Sequence, residues 1–580
     1  MWSAHLRRRA GSRRARLVTV VTVAWLATGA CGGDGITVVT VRTRPAVRAV
    51  EQVEVTLANA NATLTETFEV DARTFPLTFS IETGGRDGQL EIHGSALDGD
   101  GVLIGTGDTA VEVGGRTDVE LMIDPTDFTV NTSFVGDQAL AFRDDAGGRQ
   151  LAISPAGVFT VGWSDSCQVV GRCDVFGRRF DTRGAPVATS LAAGVAQFNF
   201  NRTNGLIGFE PSLATNADGA TLAAWSDGGD LLAVVIDADG VATAVTETTV
   251  ASGTAPSTPA ATALPNGRFI VAWTENGTMA GQLVVKAVWL DERGQPVANP
   301  VTSTAAAYTV STTIITDKAP PALVALGDQS ASAIVWRNGS VLRARFYTPG
   351  GLPRSALDLS IGMFGVDELG EPQIAAVAPD LAVLFGRRTS GGDADAGQLI
   401  LRRVTTSGQR TGVDAIVARE VDLRPMALAA RPDGAIAAVW QACLGDSDGS
   451  ACGVRFQLFR PTLAAVGAPT FANSTTANTQ IEPSLVALPD GSFVAAWSDG
   501  SQAAPDTDGF GIRARIMYPA YDDTDGLGAR CTRSSECGEA NVCMAGSDSA
   551  ARCYRACALD RTCAFGGSCT TMGDESGCLF

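Results

Sequence analysis

The stretch EPSLVALPDGSFVAAWSDG, Glu482 to Gly500, decides the fold, because its pattern is written seven times through the middle of a 580-residue chain. An apolar segment follows a proline, a tight turn sits at Pro489-Asp490-Gly491, a second apolar segment follows, and a tryptophan precedes a polar loop. Looser copies read EPSLATNADGATLAAWSDG (Glu210 to Gly228), TPAATALPNGRFIVAWTEN (Thr258 to Asn276) and RPMALAARPDGAIAAVWQA (Arg424 to Ala442). Short apolar runs bounded by turn residues are strand signals, and self-similarity at this period is the mark of a repeat architecture.

The tryptophan slot falls at Trp163, Trp225, Trp273, Trp336, Phe385, Trp440 and Trp497, at intervals between 48 and 63 residues. Each interval suits one four-stranded blade, which predicts a seven-bladed β-propeller. Burying one such ring contributes roughly 4–6 kcal/mol at about 25 cal/mol per Å2, so the recurring aromatic reads as blade-to-blade core. Third strands follow, as in VFGRRFD, LVVKAVWLD, LRARFY and IRARIM, and then a fourth segment such as PTFANSTTANTQIEP. The seventh copy stops after its third strand. Its missing strand has a candidate upstream in DFTVNTSFVGDQ (Asp127 to Gln138), which resembles PTFANSTTANTQ, so the ring is expected to close with an N-terminal strand.

In a blade ordered from inner to outer strand, the P-D-G turns lie on one plain face. The loop after the tryptophan and the connector between blades share the other face. Length variation concentrates there, at Ala192 to Phe209, Ser303 to Lys318, Thr389 to Gly397, Leu444 to Ala451 and Ser501 to Gly509. Variable loops on a rigid scaffold are where ligands are met. Cys167 with Cys173, and Cys443 with Cys452, are expected to staple two of these loops. Paired aspartates in the loops (Asp393 and Asp395, Asp446 and Asp448, Asp506 and Asp508) are weak calcium candidates, since none completes a known calcium loop.

Ahead of the repeats, residues 36–125 read as short alternating strands such as QVEVTLA, FPLTFSIE and DVELMI, which fit a small immunoglobulin-like β-sandwich. Asp98-Gly99-Asp100-Gly101 there reads as a turn. Residues 126–520 form the propeller, and residues 526–580 a disulfide-rich tail of two four-cysteine modules. The modules contain Cys531, Cys537, Cys543 and Cys553, then Cys557, Cys563, Cys569 (which follows Ser568) and Cys578. Segments this small cannot build much core and use disulfides instead; their connectivity stays open.

Residues 1–30 have the form of a signal peptide: basic MWSAHLRRRAGSRRAR, then apolar LVTVVTVAWLATGA, too short to span a bilayer. Thr28-Gly29-Ala30-Cys31 resembles a bacterial lipobox, with Thr28 where that pattern favours leucine. Cys31 is the expected lipidation site and residues 32–35 a tether, which predicts an exported chain at the outer membrane or cell surface, with a periplasmic or secreted chain as the alternative.

Beyond the six leader arginines the chain carries 38 basic against 62 acidic residues, a net of −24, which argues against nucleic acid as a partner. The mature chain keeps one histidine, His93, so Ser-His-Asp chemistry and histidine-ligated zinc are not expected. No cofactor is expected beyond the weak calcium candidates.

The repeat, with its P-D-G turn, A-W-S-D end and R-x-F-D-x-x-G continuation (Arg178 to Gly184), resembles β-propeller repeats of secreted bacterial surface proteins. With the lipobox, sandwich and cysteine-rich tail, the chain is similar to outer-surface lipoproteins of myxobacterial type. That resemblance implies a lipid-anchored binding, adhesion or scaffold protein, with an unknown protein or glycan as partner. A polysaccharide-active hydrolase or lyase, or a purely structural envelope component, is the alternative. Sialidases carry S/T-x-D-x-G-x-T-W/F between blade strands; here the nearest stretch, from Thr215, places Asp218 one residue late and does not repeat. No catalytic residue is singled out.

Overall fold

The structure is a computed structural model. It describes residues 22–24, residues 36–519 except 60–61, 71–74, 83–87, 114–115, 141–148, 166–173, 192–193, 202–207, 228, 245, 255, 279–280, 328–330, 390–396, 422–425 and 444–451, and four short strands beyond residue 540. The described residues are all strand, turn and bend, without a helix. No helix is long and apolar enough to cross a membrane. Two compact units account for the chain, divided near residue 128.

The first unit is a sandwich of β1 (Ile36–Thr43), β2 (Gln52–Asn59), β3 (Ala62–Glu69), β4 (Leu77–Glu82), β5 (Gly88–Leu97), β6 (Leu103–Val113) and β7 (Arg116–Pro125). The strands form one continuous sheet in the order β4-β1-β7-β6-β5-β2-β3, with β1 and β7 parallel, β3, β2, β5 and β6 antiparallel, and β6 paired with β7 at Gly105–Pro125 and Thr106–Asp124. Thr22–Ala24 runs parallel to Ser80–Glu82 along the free edge of β4. Alternation places Val39 and Val41 of β1, Val53, Val55 and Leu57 of β2, and Leu121 and Ile123 of β7 in one core.

The strand order differs from that of an immunoglobulin constant domain. Lettered along the chain, the order here is D-A-G-F-E-B-C in one sheet, whereas the immunoglobulin order is A-B-E-D against C-F-G. The reason is local: residues 44–51 carry the chain from β1 past the positions of β7, β6 and β5 to β2, so the first two strands never pair. Alternation says which side of a strand is buried, but not which strands pair with it.

The second unit is the seven-bladed propeller. Its sheets are four-stranded except the first and fifth, which add the short strands Gln138–Ala139 and Glu368–Leu369, and they follow one another in sequence, from Leu151–Ile153 with Phe159–Asp165 in the first blade to Gln480–Ala487, Phe493–Asp499 and Gly511–Met517 in the seventh. Each inner strand contacts the next, and Gln480–Ala487 contacts Leu151–Ile153, so the ring closes. The outer strand of the seventh sheet is Phe128–Thr129, beside Gly511–Met517. The backbone N–H of Val130 donates to the Ile512 carbonyl at 2.7 Å.

The aromatic slot is core. Trp163, Trp225, Trp273, Trp336, Phe385, Trp440 and Trp497 are all buried. Trp225 lies with Val175, Phe198 and Phe200 of the first blade, and Trp273 with Leu222, Ala224 and Val235 of the second. Trp336 and Trp440 likewise face the blade before their own. The P-D-G turns need glycine: Gly434 and Gly491 have φ of 84° and 87°, a region that costs other residues strain. Asp490 completes its turn by accepting the Ser492 N–H at 3.0 Å.

In the tail, two hairpins pair Asn541–Ala545 with Ala551–Arg555 and Ser568–Met572 with Glu575–Leu579. Their registers set Cys543 opposite Cys553 and Cys569 opposite Cys578.

Candidate functional site

The loop-rich face is built by a repeated polar device that the sequence motif does not advertise. The residue after the slot aromatic clips the neighbouring blade. Ser164 Oγ accepts the Glu210 N–H at 3.1 Å, and Ser498 Oγ accepts the Leu140 N–H at 2.9 Å. Thr274 Oγ1 donates to the Ala319 carbonyl at 2.7 Å, and Ser498 Oγ also donates to Glu482 Oε2 at 2.6 Å. Asp499 then accepts from Arg513 Nε at 3.0 Å and from Gln480 Nε2 at 3.1 Å. The W-S-D ending is therefore a joint between blades, and recurrence of a hydroxyl in that position was its readable signal.

Adjacent inner strands belong to separate sheets, and side chains stitch several of them together. Ser484 Oγ accepts the Gln150 N–H at 3.2 Å, Ser212 Oγ the Ala261 N–H at 3.0 Å, and Thr262 Oγ1 the Ala325 N–H at 3.2 Å. The axial channel they enclose has a volume of about 400 Å3 and mixed walls, with small apolar side chains such as Ala152, Ala214 and Ala375 beside the polar Ser212, Thr262 and Gln373. At the end where the inner strands begin, Glu482, Arg149 and Glu210 come from three successive blades and are all buried. The channel offers few groups with chemistry to perform.

A larger cavity, about 760 Å3, opens on the loop-rich face between the fourth and fifth blades. It exists because only Gly339 and Ser340 separate Ala331–Asn338 from Val341–Tyr347, whereas the first, fifth, sixth and seventh blades carry long loops there. Lys318, Arg337 and Arg388 line it together with Asp317, Asp367, Glu368 and Glu371. Arg337 donates to the Leu369 carbonyl and lies 3.7 Å from Asp317 Oδ2. Arg387 Nε holds Asp367 at 2.6 Å, and Arg388 holds Glu368. The lining has charges of both signs and no aromatic ring.

The residues singled out from the sequence fall in three groups. Cys31, Cys167, Cys173, Asp393, Asp395, Asp446, Asp448, Cys531, Cys537, Cys557 and Cys563 lie outside the described residues. Cys443 and Cys452 form a disulfide, and Gln441 Nε2 lies 3.0 Å from Cys443 Sγ. Asp506 and Asp508 take part in ring closure: Asp506 Oδ2 accepts from Asn131 Nδ2 at 2.7 Å, and Asp508 Oδ2 accepts the Gly136 N–H at 3.1 Å. Among the described residues, no group of three or more His, Cys, Asp or Glu side chains converges as a metal site would.

His93, from which no Ser-His-Asp chemistry is expected, has two polar partners. Its Nδ1 lies 2.7 Å from Asp108 Oδ1, its cross-strand neighbour, and its Nε2 lies 3.2 Å from Ser95 Oγ. This is the connectivity of a Ser-His-Asp triad, so one histidine was enough to assemble it. The arrangement sits on an exposed sheet face, with Asp108 mostly in solvent. β5 is paired on both sides, so its backbone N–H groups serve the ladders and leave no oxyanion hole. It reads as a polar cross-strand cluster.

No protein-family model matches the chain, and no curated protein is similar to it. Solved structures match the chain at low identity. A protein of unknown function from Dyadobacter fermentans is 11% identical with a TM-score of 0.40, covering 68% of this chain and 99% of its own. The α-L-arabinanase of Penicillium chrysogenum, solved with arabinobiose, is 12% identical with a TM-score of 0.37 over 68% of this chain and 99% of its own. The NanB sialidase of Streptococcus pneumoniae is 8% identical with a TM-score of 0.36 over 83% of this chain and 94% of its own. These likenesses carry no functional argument.

Proposed function

We propose that this chain is a lipid-anchored surface protein that binds a ligand on the loop-rich face of its propeller. The supporting observation is the charged cavity between the fourth and fifth blades, set beside an axial channel that is smaller and has one charged side chain, Arg149, in its lining. Seven stitched blades make a rigid frame, and rigid frames with variable loops suit recognition. Asp367 and Glu368 are committed to Arg387 and Arg388, an arrangement that shapes a binding surface. The lipobox-like Thr28-Gly29-Ala30-Cys31 supports attachment through a diacylated cysteine.

The test is a glycan array, a displayed-peptide library and a polysaccharide-hydrolysis screen on the chain from residue 36. Binding without turnover is the expected class of result. Measurable turnover would replace the binding reading with a hydrolase or lyase. For the address, Cys31→Ala is expected to move the protein from the membrane to the soluble fraction; a variant that stays membrane-bound removes the lipid anchor.

A further inference from the structure

The repeat departs from its own pattern where the charged cavity opens. In the position after the slot aromatic, five blades have Ser164, Ser226, Thr274, Gln441 and Ser498. The fourth blade has Arg337 there and the fifth has Gly386, with Phe385 in place of tryptophan before it. At the start of the inner strands the residue before proline varies, with Glu210, Thr258, Pro320, Glu371, Arg424 and Glu482 in the second to seventh blades, so the departure that marks the cavity is the one after the slot aromatic. Arg337 still clips the next blade, through the Leu369 carbonyl, but it does so with a long cation that lines the cavity. A serine would suffice for the joint, as Ser164 and Ser498 show. Departures from a repeat that scaffold alone does not require are expected at functional sites.

The chemistry of the lining narrows the ligand. Three cations face four carboxylates, so the surface is nearly charge-balanced and suits a dipolar chain rather than a polyanion. The absence of an aromatic ring leaves no stacking platform for a sugar. Beside the charges stand exposed apolar side chains: Val366 on the lining, Met363 opposite Val341, and Ile314, whose carbonyl accepts Asn338 Nδ2 at 3.1 Å. Val366 and Met363 are 79% and 76% exposed, open to an apolar side chain of a ligand held in the cavity.

We infer that the cavity between the fourth and fifth blades binds an extended peptide segment of a partner protein. The peptide's backbone and charged side chains meet Arg337, Lys318 and the carboxylates, and an apolar side chain rests on Val366 and Met363. This rests on the loop-rich face being the binding face.

The experiment is selection of random displayed peptides on the chain from residue 36, with affinities of enriched peptides measured for the parent, Arg337→Ser and Val366→Asp. Arg337→Ser restores the repeat residue, and Val366→Asp alters an exposed side chain, so thermal melting checks that each variant folds. The expected result is an enriched family whose affinity falls at least tenfold in both folded variants. Enriched peptides that bind both variants like the parent would overturn the site. Glycan-array binding that is lost in Arg337→Ser, with no enriched peptide, would overturn the peptide class and leave the loop-rich binding face standing. Ligands of either class displaced only by changes outside that face would overturn both.

Discussion

Asn131 Oδ1 accepts the backbone N–H of Ile512 at 2.9 Å, joining positions 381 residues apart. The same side chain donates through Nδ2 to Gln138 Oε1 at 2.9 Å and to Asp506 Oδ2 at 2.7 Å. Asn473 repeats the device in the sixth blade, accepting the Val454 N–H at 2.9 Å and lying 3.3 Å from Gln480 Oε1. Asn201 does the same for the Val175 N–H at 2.7 Å in the first. The N-terminal strand thus uses the joint that any other blade uses, and the ring closes as though the chain were continuous.

Replacing Asn131 with alanine strands buried polar groups on both sides of that joint. A loss of about 1–3 kcal/mol is expected, the cost of an unsatisfied buried group, read as a lower midpoint in urea unfolding. A midpoint unchanged from the parent would show that the N-terminal strand is not part of the cooperative unit.

The slot aromatic and the clip after it should separate in magnitude. Trp497→Ala is expected to cost about 3–5 kcal/mol, as large-to-small changes at fully buried aromatics do. Ser498→Ala leaves the Leu140 N–H without its acceptor and should cost about 1–3 kcal/mol. Equal losses would contradict the division into core and joint.

Tyr308 and Tyr347 meet edge to face in the core, with ring centroids 6.4 Å apart. Burial raises the Tyr308 phenol and pushes that of Tyr347 well above its usual value. A raised folded-state pKa means the unfolded chain gives up the proton first. Stability from these two groups is therefore whole below about pH 10 and falls as pH climbs beyond it. Tyr347→Phe should flatten the alkaline decline in melting temperature, and an unchanged decline would assign it to other groups.

The Cys443–Cys452 disulfide closes a short loop, so reduction should destabilise by roughly 2–3 kcal/mol in the chain-entropy model. Thermal melts of Cys443→Ser with Cys452→Ser, compared with the parent, check this. No shift would show that native contacts already hold the loop.

Ser95 should stay unlabelled by a fluorophosphonate probe, because no oxyanion donors accompany the His93 and Asp108 contacts. Labelling at Ser95 that disappears in His93→Gln would make the cluster a nucleophilic centre.

What the sequence by itself determined was the unit and its number. The seven aromatic slots, the P-D-G turns and the resemblance of Asp127–Gln138 to the last inter-blade connector follow from local patterns repeated in phase, and a local pattern survives without knowing its neighbours. The cysteine loop at 443–452 was legible for the same reason. The sandwich's strand order was not, since alternation fixes a buried side but not the strands that pair with it. The Ser-His-Asp contact was missed because three polar residues on two strands meet only when register is set. Above all, the cavity depends on a short turn at Gly339–Ser340 standing beside Arg337 and the next blade's connector. Such gaps arise from the spacing of elements in three dimensions, and only the tertiary structure decides it.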